Sequence, residues 1–170
     1  DGAGAVVLGP TEDASRGVLS THIFADGAQA QLLWCDLGAM YHKPRLAKEY
    51  IDQGLHWPIM QGREVFKHAT TRMPDAVRQA LECNGLSKDD IKLLIPHQAN
   101  LRISEMVQRQ LGLRDDQVYN NIQRYGNTTA ASIPIALHEA LSEGRIVRDD
   151  LVMLAAFGSG FTWGSAAVRW

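Results

Sequence analysis

Ile91-Lys92-Leu93-Leu94-Ile95-Pro96-His97-Gln98-Ala99-Asn100 is an apolar run broken only by Lys92, closed by a proline and followed by a polar tip. Downstream, Ile103, Met106, Val107 and Leu111 recur at helical spacing, so a helix is predicted from Asn100 to Leu111. A strand, a polar tip and a helix in that order make an α/β unit. In open α/β sheets ligands collect beyond the carboxyl ends of the strands, and a parallel Ile91 to Ile95 strand delivers His97 to that position.

Similar patterning extends to both sides. On the N-terminal side, Val6 to Leu8 and Gly17 to Phe24 read as short strands on either side of a polar turn, the first of them buried on both faces. Between Gln29 and Pro58 periodicity fades into an ordered loop with one short helix, carrying Trp34, Tyr41, Tyr50 and Trp57. Val65, Phe66, Ala69, Met73, Ala76, Val77, Ala80 and Leu81 form one helical stripe stopped by Asn84-Gly85, and Pro74 inside it is expected to kink or divide the helix. On the C-terminal side, a strand is expected within Val118 to Ile122, then a helix from Asn127 to about Ser142 whose small first turn is buried. Leu151 to Ala156 reads as a central strand, and Gly158-Ser159-Gly160 turns the chain into a last strand, Thr162 to Arg169.

The chain has 170 residues, of which 45% are hydrophobic, enough for one domain with a real core. A formal net charge of -2 argues against a nucleic-acid footprint, and no apolar run reaches the roughly 20 residues of a membrane helix. Cys35 and Cys83 form neither a metal-ligand pair nor a disulfide framework, which points to a reducing, cytoplasmic setting and to no metal. The opening Asp1-Gly2-Ala3-Gly4-Ala5, without an initiator Met, reads as part of a longer protein.

His97 by itself reads equally well as a ring hydrogen-bonded at a strand end, and Asn127 in Gly126-Asn127-Thr128-Thr129-Ala130-Ala131-Ser132 as a helix cap. Taken together, a neutral imidazole and a carboxamide are two donors able to meet one developing oxyanion. A nucleophile to accompany them is missing. Asp36 beside Cys35 disfavours a thiolate, as does the end of a helix at Cys83.

With Phe157-Gly158-Ser159-Gly160-Phe161-Thr162-Trp163-Gly164-Ser165, these motifs resemble the C-terminal half of the β-ketoacyl-acyl-carrier-protein synthase III family of thiolase-like condensing enzymes. The resemblance runs from Asp1 to Trp170 and weakens between about Gln29 and Trp57. It implies an α/β thiolase-like half-domain over residues 1–170, with a mixed five-stranded sheet and helices on its faces. An N-terminal half carrying the nucleophilic cysteine would pack against it. It further implies a homodimer, no permanently bound cofactor, acyl-CoA and malonyl-ACP as substrates, and an acyl carrier protein as partner.

On the same resemblance, His97 and Asn127 would stabilise the enolate formed when malonyl-ACP loses carbon dioxide, initiating fatty-acid or related polyketide synthesis. The Ser159 N–H would belong to the acyl-thioester oxyanion hole, and Phe157 would pack beside the cysteine. Ala99, Asn100 and Arg102 fall at the tunnel entrance, with Asn100 near the pantetheine arm and Arg102 facing an acidic carrier-protein helix. Met60, Gly62, Arg63 and Phe66 correspond to the CoA channel, where Arg63 replaces the Asn of some relatives and Ser159 replaces a frequent Gly. Two alternatives stay open: an acyltransferase relative that does not decarboxylate, and a non-catalytic partner subunit.

Overall fold

The computed structural model describes residues 1–37 and 42–170. Its main sheet has four strands in the order β1-β6-β5-β4: β1 is Gly17–Ala25, β4 Ile91–Pro96, β5 Leu151–Gly158 and β6 Thr162–Arg169. β4 runs parallel to β5, and β6 is antiparallel to both β5 and β1. The sheet is therefore mixed, and the free edge of β4 is extended by one parallel bridge, Leu94 to Val118. That bridge is all that forms of the fifth strand expected within Val118 to Ile122. A 3₁₀ turn, Asp115–Gln117, precedes it and the short helix α4, Ile122–Tyr125, follows, so little extended backbone is left to pair.

Alternation along β4 and β5 divides the core between the two faces of the sheet. Leu94, Leu151, Met153, Ala155 and Phe157 pack with α2, Gly62–Cys83, and α3, Leu101–Leu111. Leu93, Ile95 and Val152 pack on the other face with α5, Ser132–Ser142, through Ala136, Leu137 and Ala140. Helix α3 ends at Gly112, whose φ of 65° is the left-handed conformation that a glycine cap supplies.

Helix α2 is the predicted stripe made whole, with Val65, Ala69, Met73, Ala76, Val77, Ala80 and Leu81 buried. Pro74 does not divide it. Its ring is fully buried within one 22-residue helix, and in the preceding turn Thr70 Oγ1 donates to Phe66 O at 2.9 Å.

Three other expectations change. Val6 to Leu8 do not form a buried strand: residues 1–16 carry no regular structure, and Val7 is 96% exposed. An apolar run becomes a strand only beside a ladder partner, and this segment has none among the described residues. The Gln29 to Pro58 stretch contains more than the helix α1, Lys48–Asp52, because its base is closed by two short antiparallel strands, β2 (Leu33–Trp34) and β3 (Ile59–Met60). Of its aromatic residues, Tyr41 lies outside the described residues. Helix α5 starts later than Asn127, after a 3₁₀ turn at Thr129–Ala131, because Thr129 has a φ of 50° that an α-helix cannot run through. The small residues of the expected first turn are not buried: Asn127, Thr129 and Ala130 are exposed, and burial begins only at Ala131 and Ser132, where the helix proper starts.

Candidate active site

The carboxyl ends of β4 and β5, the start of α5 and parts of β1 and β6 border an open, largely apolar cavity of about 1030 Å³. His97 enters it from the tip of β4. Its backbone N–H donates to Ala155 O at 2.8 Å, which carries the β4–β5 ladder one residue past Pro96 and fixes where the ring emerges. Behind it, the buried Gln98 acts as a clamp. Gln98 Nε2 donates to Pro96 O at 2.7 Å, and its Oε1 accepts from the N–H groups of Asn121 and Ile122 at 3.0 and 3.2 Å. One saturated carboxamide thus ties the β4 tip to the turn that leads toward Asn127.

The His97 ring is half-buried, and its Nδ1 lies 2.6 Å from the Oγ of Ser132, a residue only 2% exposed. Nε2 is the ring nitrogen left for the cavity. Burial pushes the imidazolium pKa below its ordinary 6.5, so the ring is neutral near pH 7. Because the folded value lies below the unfolded one, this stabilisation is fully present above pH 6.5 and is lost as pH falls through the folded value. Thermal midpoints measured from about pH 8 down to about pH 5 are expected to fall more steeply for the parent protein than for His97→Gln. Parallel curves would contradict the assignment.

Asn127 reaches the same cavity from a turn held on α5. Glu139 of α5 accepts from Asn121 Nδ2 at 2.7 Å, Arg124 Nη2 at 2.8 Å and Tyr125 OH at 2.5 Å. The turn then passes through Gly126, whose φ of 67° and ψ of -159° lie where only glycine is at ease. Asn127 Oδ1 accepts from Thr129 N–H at 2.9 Å. An N–H donor must meet the carboxamide oxygen, so this bond fixes the amide orientation and leaves Nδ2 without a partner among the described residues.

The cavity also gathers Met60, Ala99, Phe157 and Ser159. The Phe157 ring is buried and meets Phe161 edge-on at 4.8 Å. Ser159 makes its turn contact through its carbonyl, which accepts from Thr162 Oγ1 at 3.0 Å. Gly62, Arg63, Phe66, Asn100 and Arg102 do not line the cavity. Phe66 packs against the core, Gly62, Arg63 and Arg102 are exposed, and Asn100 Oδ1 caps α3 by accepting from Arg102 N–H at 3.0 Å.

One residue of the site carries no signal in the sequence. Ser132 closes the Asn127 motif, but nothing in its spacing connects it to a histidine 35 positions away. Cys35 also lines the cavity, with Sγ 3.6 Å from His56 O. Among the described residues no group of three or more His, Cys, Asp or Glu side chains is placed to hold a metal ion, and no helix is long and apolar enough to cross a membrane.

Residues 81–170 match the family model described as 3-oxoacyl-[acyl-carrier-protein (ACP)] synthase III C terminal. The chain belongs to that family. Over all of its length it is 47% identical to a β-ketoacyl-[acyl-carrier-protein] synthase III of Desulfotalea psychrophila and 48% identical to one of Xylella fastidiosa. It covers 51% and 50% of those proteins, and so spans about half the length of the curated relatives it matches. Among solved structures, the 3-oxoacyl-[acyl-carrier-protein] synthase III of Aquifex aeolicus superposes with a TM-score of 0.82 at 38% identity, over 95% of this chain and 46% of that one. The synthase III of Thermus thermophilus gives 0.81 at 41% identity, over 94% and 47%. The synthase III family member described here therefore has the thiolase-like fold of those structures.

Proposed function

We propose that this chain is the C-terminal half of a β-ketoacyl-ACP synthase III, supplying the groups that drive decarboxylation of malonyl-ACP, while an N-terminal half supplies the nucleophilic cysteine. The observation that carries this reading is a shared polarity at the cavity. Ser132 occupies Nδ1 of His97 and Thr129 N–H occupies Oδ1 of Asn127, so that Nε2 and Nδ2 are the atoms left for a substrate oxygen.

The chemistry proceeds in two stages. Acyl-CoA first transfers its acyl group to the cysteine sulfur, releasing free CoA. The malonyl C–C bond to the carboxylate then breaks, carbon dioxide leaves, and the electron pair passes into the thioester as an enolate whose oxygen meets His97 and Asn127. The enolate carbon attacks the acyl-cysteine thioester, and the tetrahedral oxyanion, held by the Ser159 N–H, collapses to expel the cysteine thiolate. Preorganised donors, already oriented toward the developing charge, stabilise it far better than water does. An apolar cavity serves both stages.

Around this centre, Phe157 flanks the acyl group, while Met60, Gly62, Arg63, Phe66, Ala99 and Asn100 border the pantetheine and CoA path. Arg63 and Arg102, both exposed, face the phosphate or the acidic surface of the carrier protein. The full-length enzyme is a homodimer in this reading. Incubated with an acyl-CoA and carboxyl-labelled malonyl-ACP, it is expected to release one labelled carbon dioxide for each 3-ketoacyl-ACP formed. Acyl transfer without gas release would identify an acyltransferase, and neither product would identify a non-catalytic partner subunit.

A further inference from the structure

We infer that Ser132 is the positioning residue that sets the tautomer of His97, holding Nδ1 as an acceptor so that Nε2 presents its hydrogen to the cavity. This deepens the decarboxylation reading and rests on it for its catalytic consequence. The geometry stands without it.

Ser132 Oγ has two neighbours among the described residues. It accepts from Gln98 N–H at 3.2 Å and lies 2.6 Å from His97 Nδ1. A hydroxyl carries one hydrogen, and a buried one seeks an acceptor. The peptide N–H of Gln98 can only donate, so the one acceptor within reach of the Ser132 hydrogen is an unprotonated Nδ1. Were Nδ1 to carry the hydrogen, it would point at an oxygen whose own hydrogen then had no acceptor in a residue 2% exposed. The neutral ring thus has its hydrogen on Nε2.

The fold makes this arrangement rigid. Ser132 is the first residue of α5, Gln98 follows the ring it stabilises, and Gln98 is itself clamped by Pro96, Asn121 and Ile122. The serine therefore ties α5 to the β4 tip through the imidazole. A wrong histidine tautomer would offer the enolate a lone pair in place of a donor, which is why tautomer errors are costly in catalysis.

The test is made on the full-length protein carrying nitrogen-15 histidine. Two-bond proton–nitrogen correlations at neutral pH are expected to show His97 with an unprotonated Nδ1 and a protonated Nε2. Ser132→Ala is expected to move both ring nitrogens toward the averaged shifts of an unconstrained imidazole, while Ser132→Thr, which keeps a hydroxyl, retains the parental pattern. In the same proteins, kcat for malonyl-ACP decarboxylation is expected to fall about 10-fold in Ser132→Ala, with KM within about twofold, and to recover in Ser132→Thr. A protonated Nδ1 in the parent overturns the inference without any variant, and so does a Ser132→Ala spectrum identical to the parent. A shifted tautomer with an unchanged decarboxylation rate instead overturns the enolate role of His97 and leaves the serine–histidine pairing intact.

Discussion

In the full-length protein, His97→Ala and Asn127→Ala are each expected to slow decarboxylation of malonyl-ACP by about 10² to 10³, the usual cost of one oxyanion donor. The loss should appear in kcat, because the donors meet full negative charge only as the carbon–carbon bond breaks. Folding does not account for a loss of that size. Asn127 is exposed and serves the backbone only by accepting from Thr129 N–H, a turn contact whose removal costs about 1 kcal/mol. Asn127→Asp separates the two roles, since aspartate caps a turn as well as asparagine does but offers the enolate a negative charge in place of a donor. It should be at least as slow as Asn127→Ala while keeping the parental thermal midpoint. Parental rates in the alanine variants, measured by release of labelled carbon dioxide, would show that the pair does not act on the enolate.

The second large effect concerns the sheet. β6 lies between β1 and β5, and a Cβ placed on Gly164 would sit 2.5 Å from the backbone carbonyl oxygen of His22 on the neighbouring strand. No rotamer change relieves a contact with backbone, so Gly164→Ala has to push β1 and β6 apart. Overpacking of this kind costs about 1–3 kcal/mol. The upper end is expected here, lowering the thermal midpoint by roughly 6–12 °C for a protein of this size. Gly27→Ala is the control, because nothing lies within 4 Å of its Cβ position. Equal midpoints for the two variants would mean that the close approach of β1 and β6 is not as tight as described. Because Gly164 and Ala166 also line the cavity, displacement of β6 should reach the site as well.

Some of this was legible from the amino-acid order alone. Helix α2 and the β4–α3 unit declare themselves because their apolar residues recur at the period of the element they form, and the β5–β6 hairpin because a glycine turn joins two apolar runs. These elements place His97, Phe157 and Ser159, so half of the candidate site follows from local pattern. Asn127 was legible as a residue type after a glycine. The bond to Thr129 that orients its amide was not, since it depends on a left-handed Thr129 that side-chain preferences disfavour.

The rest depends on contacts between distant parts of the chain. Val6 to Leu8 have a strand's composition, but composition does not provide a ladder partner. β2 and β3 are two residues each, below the length at which alternation can be read, and they pair across the aromatic stretch from Leu33 to Met60. Ser132 reaches His97 because β4 and α5 are packed against each other, and Gln98 reaches Asn121 because the Leu94–Val118 bridge lays that segment beside β4. No window on the sequence spans such a pair.

The claim that His97 and Asn127 converge on one oxygen is tested most directly by a crystal structure of the full-length protein with a malonyl thioester analogue that cannot lose carbon dioxide. The expected result is a carbonyl oxygen about 2.7–3.1 Å from both His97 Nε2 and Asn127 Nδ2. A bound analogue whose carbonyl oxygen meets neither atom, or only one of them, would contradict it.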